Sequence, residues 1–173
     1  MKDFPDSLPD WDTLLAPHMR EKWGGLLYVD VPLADAARRL RGRLVYLATP
    51  YSREVIGSDG RWCPVRSTEF GIRAAMWARR FAGLGVTAVS PIVQAVEMVH
   101  CGAPTEPDPL DAEFWEKWCR PLLAKADAVV VPPIRGWQAS VGVWREAIEA
   151  LATSRQVWLL QNDNGGETNE QRP

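Results

Sequence analysis

The chain has 173 residues, a formal net charge of −2 and a hydrophobic fraction of 46%. These values predict one soluble globular domain and exclude a wholly disordered chain. A balance so close to neutral gives no general attraction to a nucleic acid polymer or an anionic membrane, so any phosphate recognition must be local. No apolar run approaches the roughly 18 residues of a membrane helix, and the acidic N-terminus lacks the apolar stretch of a signal peptide.

The three cysteines, Cys63, Cys101 and Cys119, are widely spaced and odd in number. This spacing fits neither a disulfide framework nor a zinc site. The two histidines, His18 and His100, are isolated in the sequence, so we expect no metal site. A reducing, cytoplasmic location is the simplest interpretation.

Residues 1–42 are interpreted as an N-terminal extension with one short helix near Asp10–Leu15. After it, short apolar runs closed by turn residues alternate with amphipathic segments. The predicted strands are 44–48, 86–89, 128–131 and 156–160, and the predicted helices are 68–84, 111–126 and 140–153. Residues 162–173 contain no apolar residue and are predicted to form a disordered tail.

Short strands that are apolar on both faces and alternate with helices are typical of a parallel sheet covered on both sides. We therefore predict that residues 43–161 form a single doubly wound α/β domain, flavodoxin- or Rossmann-like, with helices on both faces of the sheet. Ligands of such sheets bind beyond the carboxyl ends of the strands. Three polar or proline-containing segments follow predicted strands there, although their prolines could equally be plain strand terminators: 49–52, 90–92 and 132–146.

The last of these segments contains the most informative pattern. Ser140 is a good N-cap for the predicted helix 140–153, and Gly142 would let an anion approach the free N–H groups of the first turn. The alternative is that Ser140 only caps its helix. The pattern is not a P-loop, because the glycine-rich run and its lysine are missing, and no GxGxxG fingerprint is present.

Two further residues of this segment are candidates for the site. Glu146 lies off the apolar face of the same helix and could face the anion pocket, although Glu146 and Glu149 could instead be two ordinary surface charges. Trp137, between Gly136 and Ser140, could stack on a planar ligand or simply pack in its loop.

Four pieces of the sequence together resemble the nucleoside 2-deoxyribosyltransferase superfamily, and within it a bacterial and phage branch of small proteins with a YLATPYS first strand. They are Tyr46-Leu47-Ala48-Thr49-Pro50-Tyr51-Ser52, Ser90-Pro91-Ile92, Asp127-Ala128-Val129-Val130-Val131, and Gly136-Trp137 followed by Ser140, Gly142 and Glu146. The resemblance spans about residues 43–160. The superfamily also includes 2'-deoxynucleoside 5'-phosphate N-hydrolases.

The resemblance implies roles for individual residues. Glu146 would be the nucleophile at the anomeric carbon, and Ser140 with the amides near Gly142 would hold a 5'-phosphate. A carboxylate suits this role because it can form a covalent glycosyl intermediate. The remaining substrate-binding candidates line the pocket or follow its strands: Tyr46, Thr49, Pro50, Tyr51, Ser52, Ser90 and Pro91.

One position departs from the pattern of the family. Related sequences carry an Asp eight residues before the Asp that opens the third predicted strand, and here that position is Cys119. A neutral thiol is not a strong acceptor. Either another carboxylate substitutes or the chemistry is altered or lost; the candidates are Asp111, Glu113, Glu116 and Asp127. Asp127 is either a catalytic residue that substitutes for the missing Asp or a structural residue at the start of a strand.

From these features we expect an enzyme that splits a nucleoside 5'-monophosphate into base and sugar phosphate without a cofactor. One alternative is a deoxyribosyltransferase that uses free nucleosides. Another is a nucleotide-binding or sensing module that has lost turnover, and a third is an unrelated doubly wound protein with Glu146 on its surface. The resemblance also implies a homodimer or a higher homo-oligomer.

Overall fold

The computed structural model describes residues 8–102 and 107–162. The predicted disordered tail therefore lies, apart from Asn162, outside the described residues. Within the described part of the chain no helix is long and apolar enough to cross a membrane.

The described residues form five strands, seven α-helices and one short 3-10 helix. The strands are β1 Leu27–Val31, β2 Leu44–Leu47, β3 Thr87–Val89, β4 Ala128–Val131 and β5 Gln156–Leu160. The helices are α1 Trp11–Leu15, α2 Pro17–Lys22, α3 Leu33–Leu40, α4 Pro64–Gly83, α5 Pro91–His100, α6 Ala112–Lys125 and α7 Val141–Ala152, with the 3-10 helix at Trp137–Ala139.

All five strands are parallel and lie in the order β1-β5-β4-β2-β3. Successive strand residues point to opposite faces. Tyr46 packs in one core with α7 residues such as Trp144, whereas Val45 and Leu47 pack in a second core with α3 and with Phe81 of α4. Helices thus cover both faces, and the predicted doubly wound α/β fold is confirmed.

Residues 27–40 are part of this fold and not of a separate extension. Strand β1 pairs with β5 at the edge of the sheet, and Ala36, Ala37 and Leu40 of α3 are buried in the second core. The sequence hides the strand because Asp30 interrupts its apolar pattern. Asp30 has a positive φ of 56°, and the pairing shifts register between Tyr28 and Val31.

Side chains cap the starts of three helices. Ser140, the predicted N-cap, accepts a hydrogen bond from a first-turn N–H group of α7, and Asp10 and Asp111 do the same for α1 and α6. Helix α4 begins at Pro64, four residues earlier than predicted, because proline is well tolerated in the first turn. Helix α5 was not predicted, and it begins directly after β3 at Pro91.

The strand order determines where a ligand site is expected. From β2 the chain moves to β3 on one side, and from β4 it moves to β5 on the other. The connections therefore diverge at the carboxyl ends of β2 and β4, which is where doubly wound sheets form a crevice.

Candidate active site

A cavity of about 240 Å³ lies at this edge, between the loop after β2 and helices α6 and α7. It brings together residues from segments that are up to 100 positions apart in the chain. Eight of the predicted site residues line it: Tyr46, Thr49, Tyr51, Ser52, Cys119, Ser140, Gly142 and Glu146.

A carboxylate cluster, formed by Tyr46, Cys119 and Glu146, lies in the wall of this cavity. The Tyr46 hydroxyl donates a hydrogen bond to Oε1 of Glu146, and the Cys119 side chain lies beside both, with a pKa that responds to each of them. Tyr46 is only 2% exposed. Because β2 fixes Tyr46 and α7 fixes Glu146, the carboxylate is held in one orientation by the packed core.

Burial governs the protonation of this cluster. It raises the pKa of Glu146 to about 8; the Tyr46 hydrogen bond acts in the opposite direction, and the charges of Glu149 and Glu116 raise it further. Burial and the neighbouring Glu146 raise the pKa of the Cys119 thiol to about 12, and that of Tyr46 well above its usual value. At neutral pH the thiol and the phenol are therefore protonated, and Glu146 is the group that can change charge.

The N-terminus of α7 opens onto the same cavity. Ser140 Oγ accepts from the Val143 N–H group at 3.3 Å, which leaves its own hydroxyl proton available. The N–H groups of Val141 and Gly142 belong to the first turn, where no intrahelical acceptor exists. A Cβ added at Gly142 would meet only Ser140 Oγ, at 3.9 Å, so the backbone there is open to an approaching group. The arrangement can bind an anion.

Thr49 adds a hydroxyl to the cavity wall. The residue is 7% exposed, and its Oγ1 has no hydrogen-bond partner among the described residues. An unpartnered buried hydroxyl is costly. Thr49 is therefore available to bind a polar group of a ligand.

Several residues of the cavity were not selected from the sequence. They are Arg53, Ile92, Trp115, Arg120, Arg145 and Glu149. Arg53 Nη1 lies 3.2 Å from the carbonyl oxygen of Ala139, directly before the α7 N-terminus. The position of Arg53 next to Ser52, and the helical spacing of Trp115 and Cys119, are the signals that could have identified these residues.

Four carboxylates could take the place of the missing Asp, and Glu116 is the one of them that lines the cavity. Its two oxygens accept from Arg120 Nη2 at 3.0 Å and from Arg145 Nη1 at 3.2 Å. Asp111 instead caps α6, and Glu113 pairs with Lys117 on the exposed side of that helix.

Asp127 is structural, and the prediction of a catalytic role for it is wrong. It precedes β4 at the amino end of the sheet, opposite the cavity. Its Oδ2 accepts from the Leu44 N–H group at 2.8 Å, and its own N–H group donates to the Leu44 carbonyl oxygen at 2.8 Å. The carboxylate thus ties the starts of β2 and β4 together.

Four other predicted substrate-binding residues lie outside the cavity. Ser90 precedes α5 and Pro91 is its first residue; both are buried, and Ile92 is the residue of this segment that lines the cavity. Pro50 is buried without lining it. Trp137 packs edge-on against Trp11 with ring centroids 4.9 Å apart, so the loop-packing alternative holds for it.

Gly136 has a structural role in the same motif. Its φ is +88°, a left-handed backbone conformation that favours glycine, and the Glu54 side chain packs against it where a Cβ would lie. The Gly136-Trp137 half of the motif therefore shapes the loop, and the Ser140-to-Glu146 half lines the cavity.

No metal or disulfide chemistry is evident at the site. The three cysteines are free thiols, and the described residues contain no group of three or more His, Cys, Asp or Glu side chains that could hold a metal ion.

Comparison with known proteins identifies one family. Its model, described as "Domain of unknown function (DUF1937)", matches residues 43–162 and so includes the whole cavity, while β1 lies outside the match. Searches of curated proteins and of solved structures gave no significant match. Since the match extends over more than half of the sequence, the chain belongs to the DUF1937 family.

Proposed function

We propose that this protein hydrolyses the N-glycosidic bond of a nucleoside 5'-monophosphate, with Glu146 as the nucleophile. The observation that carries the proposal is the shared cavity: one helix, α7, presents a carboxylate at Glu146 and an anion-binding N-terminus at Ser140. A ligand that needs both groups has an anion at one end and an electrophilic carbon further along. A sugar phosphate bearing a leaving base has this shape.

The reaction proceeds in two displacements. A Glu146 carboxylate oxygen forms a bond to C1' while the C1'–N bond breaks and its electron pair leaves with the base. Water then attacks C1' of the glycosyl ester, releasing the sugar phosphate and restoring the carboxylate. The Tyr46 hydroxyl orients the carboxylate and stabilises its charge. Exclusion of water, which raises the pKa of Glu146, also strengthens each electrostatic contact with the developing charge.

The phosphate binds at the N-terminus of α7, one to two helical turns before Glu146. Ser140 and Gly142 precede Glu146 by six and four residues, or about 9 and 6 Å of helix rise. The Ser140 hydroxyl and the N–H groups of Val141 and Gly142 donate to the phosphate, and Arg53 supplies a cation beside them.

The base leaves with its electron pair and takes up a proton, which is balanced by the proton that water loses when it attacks C1'. Glu116 orients the sugar, because both of its oxygens accept from arginines and it is not a proton donor. The thiol of Cys119, with a pKa raised to about 12, is neutral and cannot replace the Asp of related sequences. Glu116 lies on the same face of α6, three residues before Cys119, and its carboxylate is held by two arginines.

A second candidate function is nucleotide binding without turnover, and the neutral thiol at Cys119 is the observation that favours it. The test for both is incubation of the protein with a panel of nucleoside monophosphates and the matching nucleosides, with free base measured by chromatography. Hydrolysis predicts free base from at least one monophosphate and much less from its nucleoside. Monophosphate binding without base release would contradict hydrolysis and support the binding module.

A further inference from the structure

Trp115 forms an aromatic wall of the cavity, and its ring is held in place from several sides. Its Nε1 donates to the carbonyl oxygen of Asp108 at 2.9 Å. Phe114 lies edge-on to it with ring centroids 5.0 Å apart, and Trp118 lies edge-on at 5.8 Å. The indole is therefore oriented before any ligand arrives, which reduces the entropy lost on binding.

Trp115 stands one helical turn from the carboxylate cluster. One face of α6 lines the cavity, and on it Trp115 and Cys119 are four residues apart, about 6 Å along the axis. Cys119 lies beside Tyr46 in the cavity wall, and the Tyr46 hydroxyl donates to Glu146. A ring attached to a carbon at Glu146 would thus extend toward the indole.

Trp115 differs in this respect from the other tryptophans. All nine lie in the described part of the chain, and Trp115 alone lines the cavity. Trp144 is buried in the core beneath α7, Trp158 stacks on Tyr28 at 3.9 Å, and Trp137 packs on Trp11. The other aromatic residues that line the cavity are Tyr46 and Tyr51, and their hydroxyls are already hydrogen-bonded to Glu146 and to Ser67.

We propose that Trp115 is the platform on which the base of the ligand stacks, so that the cavity takes ligands with a planar heteroaromatic ring on the reacting carbon. This inference rests on the proposed function and extends it to the site of base recognition. Stacking on an indole favours every base, since each has a π-face. Trp115 therefore sets affinity for the base, while the choice between bases falls to polar groups at the ring edge.

The test compares two kinds of probe: nucleoside 5'-monophosphates, which carry a base, and ribose 5-phosphate, which has none. Calorimetry measures the dissociation constants of adenosine, guanosine, cytidine and uridine 5'-monophosphates and of ribose 5-phosphate, with the full chain carrying Glu146→Gln to prevent turnover. In that background, Trp115→Ala raises the dissociation constant of the monophosphate about tenfold or more and leaves that of ribose 5-phosphate unchanged. Trp115→Phe, which keeps an aromatic face, retains most of the affinity.

The matched control is Trp77→Ala, since Trp77 is half-buried like Trp115 but lies on α4 and does not line the cavity. It leaves the affinity for both probes unchanged. Equal affinity of the Trp115→Ala variant and its parent for the monophosphate, or an equal loss for both probes, would overturn the stacking role while leaving the proposed function intact. A parent that binds none of these probes at millimolar concentration would overturn both.

Discussion

Tyr46 and Glu146 are 100 residues apart in the chain and are joined by a hydrogen bond in which the phenol donates to the carboxylate. The bond links a central strand to the helix that follows its neighbour in the sheet. It is the contact through which the fold fixes the orientation of Glu146, and it opposes the rise in the pKa of Glu146 that burial causes.

The Tyr46→Phe variant tests this contact. Removal of the hydroxyl takes away the hydrogen bond that holds the pKa of Glu146 down, so the pKa rises above its value of about 8. A hydrogen bond to a charged group is worth about 1.5–3 kcal/mol, which corresponds to a shift of roughly one to two pH units. We expect the rise of kcat/KM with pH to move to higher pH by that amount, and base release at pH 7 to fall about tenfold or more. An unchanged pH profile would show that Tyr46 does not act on the carboxylate.

Stability should depend on the same titration. The pKa of Glu146 is raised on folding, so the folded state holds a proton that the unfolded state has lost between about pH 4.5 and pH 8. The free energy of unfolding therefore falls as pH rises through this window. Glu146→Gln, which carries no charge, should match the wild type near pH 4.5 and exceed its Tm by roughly 10 °C or more at pH 9.

The control for stability is Glu113→Gln. Glu113 is exposed and pairs with Lys117, away from the cavity. Its substitution should change Tm little and by the same amount at every pH above 6. If the Tm difference between Glu146→Gln and the wild type were equally independent of pH, the Glu146 carboxylate would have to be solvated.

Local signals in the sequence predicted most of the fold. Short apolar runs, three of them closed by a proline, predicted four of the five strands, and the N-cap Ser140 predicted the start of α7. Strand β1 was missed because Asp30, with its left-handed backbone, interrupts the apolar pattern. Its place at the sheet edge depends on pairing with β5, more than a hundred residues away, which no local pattern encodes.

The part of the site that lies in one short segment of the chain was predicted. Several residues that reach the cavity only through tertiary packing were missed. Ser140, Gly142 and Glu146 belong to one short segment at the start of α7, and their spacing supported the prediction together with the family resemblance. Trp115 and Arg53 come to the cavity only through the packing of α6 and of the loop after β2. Glu149, a surface charge on one interpretation, lines the cavity as well.

Ser140 provides a test of phosphate recognition. Ser140→Ala removes a donor from the phosphate and should weaken monophosphate binding about tenfold while leaving the matching nucleoside unaffected. It also removes the α7 cap, at a cost of about 1 kcal/mol in the free energy of unfolding. Ser140→Asp keeps a capping carboxylate but repels the phosphate, so it should lose the monophosphate preference without the loss of stability. Equal affinity of the wild type for nucleoside and monophosphate would contradict a phosphate site here.

Substitution of Cys119 tests whether the proposed activity is weakened by the absence of the Asp that the resemblance implies at this position. Cys119→Asp restores an ionisable group beside the carboxylate cluster and should raise turnover, with the optimum at higher pH because a second carboxylate disfavours the charged form of Glu146. Cys119→Asn, of the same shape, should give no gain. A folded Cys119→Asp variant that is slower than the wild type would indicate a site adapted to the thiol.

The most direct test of the central claim is base release by the Glu146→Gln variant. The substrate is the monophosphate that the wild type cleaves best, and the free base is measured by chromatography. Glutamine keeps the volume of the side chain and accepts the Tyr46 hydrogen bond, but it cannot form the glycosyl ester. The account predicts a fall in base release of about 10³-fold or more with monophosphate binding retained, whereas Glu113→Gln remains active. Base release by Glu146→Gln at the wild-type rate would contradict the account.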